Sequence, residues 1–277
     1  MSLTADEMNF ISQQLNIYFG LFIFITGLTG GLLNIIIFTT LKTFRETSCG
    51  FYLTATSIFN VGHVVFALST RILESGFRIN VTTHPWSCKF RTFLAQSCVL
   101  LSLTGMSLAT IDQFLSMTKY RKWSRLKYAR RHIFVACCFW FLHGIFAFLF
   151  WDIFNDACSA IGYHYRNYLM HFYLPILLGC LPIMIMVTFA LLSFRKIRSL
   201  ACRRMSIVRL SRDRQLTAMT LIQASFTVLT SIPYTTFNIY LLNTTPTRPE
   251  SIAYHRLINT VLVLLYYENF AVNINIC

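Results

Sequence analysis

Six windows of this 277-residue chain contain no Asp, Glu, Lys or Arg: 8–41, 47–70, 92–111, 132–151, 167–194 and 215–247. Each can hold the roughly 20 residues a helix needs to cross a bilayer's hydrocarbon core. Six such runs in succession leave too little polar surface to solvate them as buried helices of a soluble protein. With 55% hydrophobic and only 12% charged residues, the chain carries more apolar surface than one soluble core would bury. A seventh candidate span follows Arg256 and holds a single acid, Glu268. The expected fold class is therefore an all-α membrane protein. Its expected form is a seven-transmembrane helix bundle with spans near 17–41, 49–72, 88–117, 132–151, 168–194, 216–242 and 252–277, behind a short segment, 1–16. Asp6 and Glu7 stand where the basic start of a cleaved signal peptide would lie, so the first run is expected to remain as a helix.

The distribution of charge orients this bundle. Net charge is +14, which on one face of a soluble domain would suggest nucleic acid. Here Lys42 and Arg45 follow the first span, seven basic residues from Lys119 to Arg131 follow the third, and eight from Arg195 to Arg214 follow the fifth. Basic residues resist translocation, so these connections are expected in the cytoplasm and the amino terminus outside, in a multi-pass protein of the plasma membrane. The same charge attracts anionic lipid, and no nucleic-acid partner is expected. The two N-x-[ST] sequons, at Asn80 and Asn243, fall in connections assigned to the outside, where they would be glycosylated. Among nine cysteines, Cys88 and Cys158 sit at the outer ends or loops, where an oxidising compartment permits a disulfide. The others read as free thiols engaged in packing.

Polar residues inside the spans mark the interior of the bundle. Gly27, Gly30 and Gly31 make a packing face on the first span, and Asn34 behind them needs a polar partner away from lipid. The second span carries Thr54, Thr56, Ser57, Asn60 and His63, hydroxyls that either line a path or bond to the preceding turn. On the third, Thr92, Gln96 and Val99 share one face of the outer half. Pro175 and Pro182 are expected to bend the fifth span and Pro233 the sixth, beyond which Tyr234 and Asn238 recur at i and i+4. Twenty-four residues separate Cys88 from Asp112. As one helix, that is roughly 36 Å, enough to cross the membrane.

Taken together these residues resemble the rhodopsin-like, or class A, G protein-coupled receptors. The likeness covers nearly the whole chain. Asn34 after Gly30-Gly31 is similar to the family's first-helix asparagine, and Ile111-Asp112-Gln113-Phe114-Leu115 to its I-D-R-Y-L. Trp140 matches the fourth-helix tryptophan, Pro182 and Pro233 the fifth- and sixth-helix prolines, and Asn269 with Asn273 the polar end of the seventh helix. The resemblance implies a disulfide between Cys88 and Cys158. The chain departs from the family at Gln113, where arginine is usual, and at Ser57, where the second helix has aspartate. Ser231, Ala190, Ile274 and Cys277 replace the usual tryptophan, tyrosine, proline and tyrosine. The sequence stops at Cys277 without the amphipathic helix that usually follows, as a truncated chain would.

The function implied is transduction of an extracellular ligand to a heterotrimeric G protein, with Asp112 and Gln113 on the coupling face and loops 119–131 and 195–214 beside it. Gln96, Val99, Tyr234, Asn238, Asn259 and Tyr267 are the expected lining of the ligand cavity; core packing is the alternative for each. Ala95 stands where amine-binding relatives carry aspartate, and no lysine follows Lys196, which leaves a peptide or an uncharged or lipid ligand and no retinal cofactor. A peptide fits the charged outer rim of Arg71, Asp152, Asp156, Arg166, Glu250 and Arg256. Glu268 is either a functional intramembrane carboxylate or a protonated partner of Asn34, Ser57 or Asn269. Neither metal-spaced histidines nor a nucleophile or phosphate-loop motif is present, so no metal, cofactor or enzymatic activity is expected. Two alternatives stand beside the receptor: a receptor-like protein without G protein coupling, and a small transporter or channel using Glu268.

Overall fold

The computed structural model describes residues 4–81, 83–154, 157–201, 207–244 and 248–271. Asp156, Asn273, Ile274 and Cys277 lie outside them. In chain order the elements are α1 (Ala5–Thr40), α2 (Ser48–Gly76), α3 (Pro85–Ser116), α4 (Leu126–Phe150), a hairpin of β1 (Trp151–Phe154) and β2 (Ala157–Ala160), α5 (Tyr163–Lys196), α6 (Ile207–Asn243) and α7 (Pro249–Ala271). The first five helices are long and apolar enough to cross a membrane. The protein is an all-α membrane protein, with one small hairpin added.

Its surface and interior are inverted relative to a soluble fold. Phe134, Phe139, Leu142 and Leu149 of α4 are more than half exposed, a continuous apolar face that suits lipid and not water. Polar side chains lie inside, joined from helix to helix. Ser12 bonds Thr260 at 2.8 Å, Thr227 donates to Asn269 Oδ1 at 2.7 Å, and Ser102 donates to Asn60. Trp140 Nε1 donates to Thr104 Oγ1 at 2.8 Å, tying α4 to α3. In lipid such bonds and close backbone approach replace the hydrophobic effect as the force between helices.

α3 is the axis. It packs on α2, α4, α5 and α6, while α1 lies against α2 and α7. One apolar cluster, with Ile23, Leu68, Val99, Tyr173, Leu264 and Phe270, fills the hairpin half of the bundle. A second, with Phe38, Tyr52, Leu53, Met106, Ile133 and Met186, fills the Asp112 half. The glycine face of α1 does what its composition suggests: a Cβ on Gly27 would stand 3.1 Å from that of Ala271, and one on Gly31 would overlap the Val61 side chain.

Several elements run past their expected ends. α1 starts at Ala5, within residues 1–16 that were expected to precede the first span as a short extracellular segment. Thr4 caps its first turn, and Glu7 returns a bond to the Thr4 backbone, a reciprocal capping box. α4 begins at Leu126, inside the basic connection, so Lys127, Arg130 and Arg131 ride on its first turns. Around Pro175, residues Leu169–Cys180 widen to π-helical spacing, which accommodates a ring that cannot donate to the preceding turn.

Candidate functional site

The hairpin end is assembled from three elements that the sequence keeps far apart. Pro85 starts α3 at a position where its missing N–H costs nothing, and Cys88 follows in the first turn. β1 and β2 pair antiparallel, Ile153 opposite Cys158 and Trp151 opposite Ala160. Cys158 is bridged to Cys88, as the resemblance implied, with Cα atoms 5.7 Å apart. Lys89 Nζ adds an ion pair to Asp152 at 3.2 Å. Asp152 Oδ1 accepts the Ile153 N–H, and that bond, followed by Lys89, holds its carboxyl below the usual carboxylate range. Gly162, at φ 91°, makes the turn from β2 into α5 in the left-handed region that a side chain disfavours.

Below the hairpin lies a cavity of about 650 Å³. Its lining includes Gln96 from α3, Trp151 from β1, the run Cys158–Gly162 and, from α5, Arg166 and Tyr173. Gln96 Oε1, Trp151 Nε1 and the hydroxyl of neighbouring Tyr165 are buried and face one another, with Tyr165 as the shared polar neighbour and no contact of full hydrogen-bond geometry among the described residues. Buried polar atoms normally have partners, and these three supply one another with donors and acceptors beside the cavity. The lining also includes β2 of a two-stranded sheet, and among the described residues that strand pairs only with β1.

Of the six residues expected to line a ligand cavity, Gln96 does so. Val99 is buried in the apolar cluster, and Tyr234 and Tyr267 pack against it. Tyr234 stacks on Tyr266 with ring centroids 4.4 Å apart, and Tyr267 on His63 at 5.4 Å. Asn238 donates to the Tyr234 carbonyl at 2.7 Å, and Asn259 Oδ1 is buried without a partner among the described residues. Trp151, Tyr165 and Tyr173 were not anticipated. The alternation in Trp151-Asp152-Ile153-Phe154, followed by Gly162, was the available signal for the hairpin that carries the first of them.

At the far end of α3 a second cavity, about 380 Å³, is lined by Tyr52, Asp112, Tyr120, Trp123 and His132 among others. Asp112 accepts from Ser48 Oγ at 2.6 Å, and Ser48 in turn lies 3.0 Å from Ser124 Oγ. Tyr52 bonds His132 Nδ1 at 2.9 Å, and Gln113 Nε2 donates to Cys49 Sγ at 3.0 Å. Asp112 and Gln113 are thus both buried and both turned toward α2.

The remaining expected positions are dispersed. Asn34 and Ser57 are buried; Ser57 Oγ bonds back to the Leu53 carbonyl. Glu268 is half-buried with no hydrogen bond among the described residues, and Asn269 is taken by Thr227. Asn80 is exposed after α2, and Asn243 is the last residue of α6.

No family model matches the chain, and no curated protein matches it. The chemistry available is that of two cavities at opposite ends of one helix.

Proposed function

We propose that the chain is a class A-like G protein-coupled receptor of the plasma membrane, with seven crossings and its amino terminus outside, that transduces an extended peptide ligand. The observation that carries this reading is the course of α3. It gives Gln96 to the hairpin-end cavity and Asp112 to the opposite one. Sixteen residues of helix between them are about 24 Å. A ligand that binds one arrangement of α3 and its neighbours better than another shifts the second cavity along with the first.

Two features support a peptide. β2 lies along the cavity wall and pairs with β1 alone among the described residues, so its other edge can hydrogen-bond an extended backbone. The polar cluster of Gln96, Trp151 and Tyr165 beside the cavity offers side-chain recognition of the same ligand. The positive ends at 119–131 and 195–214 support a cytoplasmic transducer face, and the sequon at Asn80 an outer one.

The test is a peptide screen against cells displaying the full chain, read as G protein dissociation. A hit whose response is lost in Gln96→Ala and in Cys158→Ser, at equal surface expression, supports the receptor. Peptide binding without G protein dissociation would assign the chain to the receptor-like alternative. Ion flux in reconstituted vesicles that disappears in Glu268→Gln would assign it to transport.

A further inference from the structure

Arg71 is a cation of α2 with an open fork. It stands five residues before the hairpin end of α2, part-buried, between two π-helical turns at Val64–Leu68 and Ile72–Gly76. Its Nε donates to Asn16 Oδ1 of α1 at 3.1 Å. Asn16 is itself 2% exposed and fixed by its own Nδ2 bond to the Ser12 carbonyl at 2.9 Å. The guanidinium is therefore aimed by a buried amide and does not trail along the lipid surface. Its two terminal nitrogens make no hydrogen bond, and no carboxylate pairs with it, among the described residues. Of the neighbouring cations, Arg91 lies 3.9 Å from Glu74 and Lys89 3.2 Å from Asp152, while Arg78 donates to Gln13 Oε1 at 3.0 Å. Ile72, the next residue, belongs to the same apolar cluster as Tyr173 of the cavity wall, and Tyr234 and Tyr267 pack against that cluster.

A charge held out of bulk water without a counter-ion is costly, and an oriented planar fork matches the two oxygens of a carboxylate. We infer that Arg71 is a recognition site for a carboxylate, held bidentately by its terminal nitrogens with the aromatic rings of Tyr234 and Tyr267 beside it. This rests on the proposed function and names a chemical requirement of the ligand: a free acid group, at a peptide's carboxyl terminus or on a short acyl chain, that reaches Arg71 from the hairpin-end cavity, whose own lining does not include it. Exposed Arg166 at the cavity mouth adds longer-range attraction and no oriented contact.

The experiment compares small probes on the purified full chain by thermal unfolding. N-acetyl-phenylalanine carries the aromatic ring and the acid, N-acetyl-phenylalaninamide the ring alone, and hexanoate the acid alone. The acid form is expected to bind at least about tenfold tighter than the amide, the worth of a charge-assisted hydrogen bond. That preference is expected to vanish in Arg71→Gln and to survive in Arg166→Gln. Arg71→Lys, which keeps charge and loses the fork, serves if the glutamine variant does not fold, and is expected to lose most of the preference. A shift with hexanoate equal to that with N-acetyl-phenylalanine selects the acyl source over the peptide terminus. Equal shifts with acid and amide on the unaltered chain, or an acid preference that persists in the Arg71 variants, would overturn the inference. Signalling is not read in this assay. Acid-selective binding without any G protein response sinks the receptor and leaves the site, whereas a peptide response with no acid selectivity does the reverse.

Discussion

Replacing Ser48 by alanine tests what holds the Asp112 end of α3 in place. Ser48 Oγ donates to Asp112 Oδ2 at 2.6 Å, both residues are 6% exposed, and they join α2 to α3 across 64 residues of sequence. Ser48→Ala removes one of two hydroxyl contacts to the carboxyl and leaves Ser124 as the remaining one. Such a bond to a charged group is worth about 1.5–3 kcal/mol net. Asp112→Asn removes the charge but keeps the shape, and the Ser48 hydroxyl can still bond the amide, so its cost is smaller. The expected order of thermal stability in detergent is therefore unaltered chain, then Asp112→Asn, then Ser48→Ala. If α3 separates from α2 when the second cavity opens, the same bond weights the resting state. Its loss then moves the equilibrium constant by about 10- to 150-fold, read as basal output per receptor at the surface. Ser48→Ala melting with the unaltered chain, or Asp112→Asn melting below Ser48→Ala, would refute the assignment of the bond.

Three other substitutions follow from the packing and the hairpin. Gly31→Val drives a side chain into Val61 and is expected to cost about 1–3 kcal/mol, seen as a lower melting temperature. Cys158→Ser opens a bridge spanning 70 residues; the loop-entropy limit is about 4 kcal/mol, and faster amide exchange in β1 and β2 reads it locally. The Asp152 carboxyl is held below its ordinary range by the Ile153 N–H and Lys89, so its contribution is present above the unfolded pKa of about 3.9 and lost as pH falls through the folded value. Hairpin exchange protection is then expected to be flat from neutral pH to about 4 and to fall below it. Asp152→Asn is expected to remove that dependence.

Charge-free windows made the helical membrane class legible, because the absence of ions over 20 or more residues has few other physical meanings. The reach of α3 from Cys88 to Asp112 was legible for the same reason. Element ends were not. Thr4-x-x-Glu7 is a capping signal, but a hydropathy argument has no place for a polar first turn, so α1 was expected to begin twelve residues late. α4 was expected to start at His132 because Arg130 and Arg131 were weighed as topology signals, although arginine is also a good helix former. Among cavity residues, Gln96 was found because helical periodicity places it on a face with Thr92 and Val99. Trp151 and Tyr165 were missed because their position depends on a hairpin folded over the end of the bundle by the Cys88–Cys158 bridge, a long-range constraint with no local period. Arg71 was placed on the rim by sequence, and its orientation toward Asn16 of another helix was beyond any single-helix pattern.

The interior network suggests how such a bundle can switch without the ionic relay its resemblance would supply. The bonds between helices are largely neutral: Ser12 with Thr260, Ser102 with Asn60, Thr227 with Asn269, and Trp140 with Thr104. Measured bonds of this kind within membranes average about 0.6 kcal/mol. Exchanging three of them for others therefore costs about 2 kcal/mol, which a ligand offsets with roughly 30-fold preference for one arrangement. A buried ion pair would raise that threshold, because separating it leaves charges uncompensated in low dielectric. Gln113 in place of arginine, and Ser57 in place of aspartate, lower it. Apart from Glu268 of α7, Asp112 and Arg71 divide the charge between the two ends, Asp112 bonded by Ser48 at one and Arg71 with open terminal nitrogens at the other. On the proposed reading, the rearrangement is driven where the unmet charge is, at the hairpin end, and the Asp112 end follows through α3.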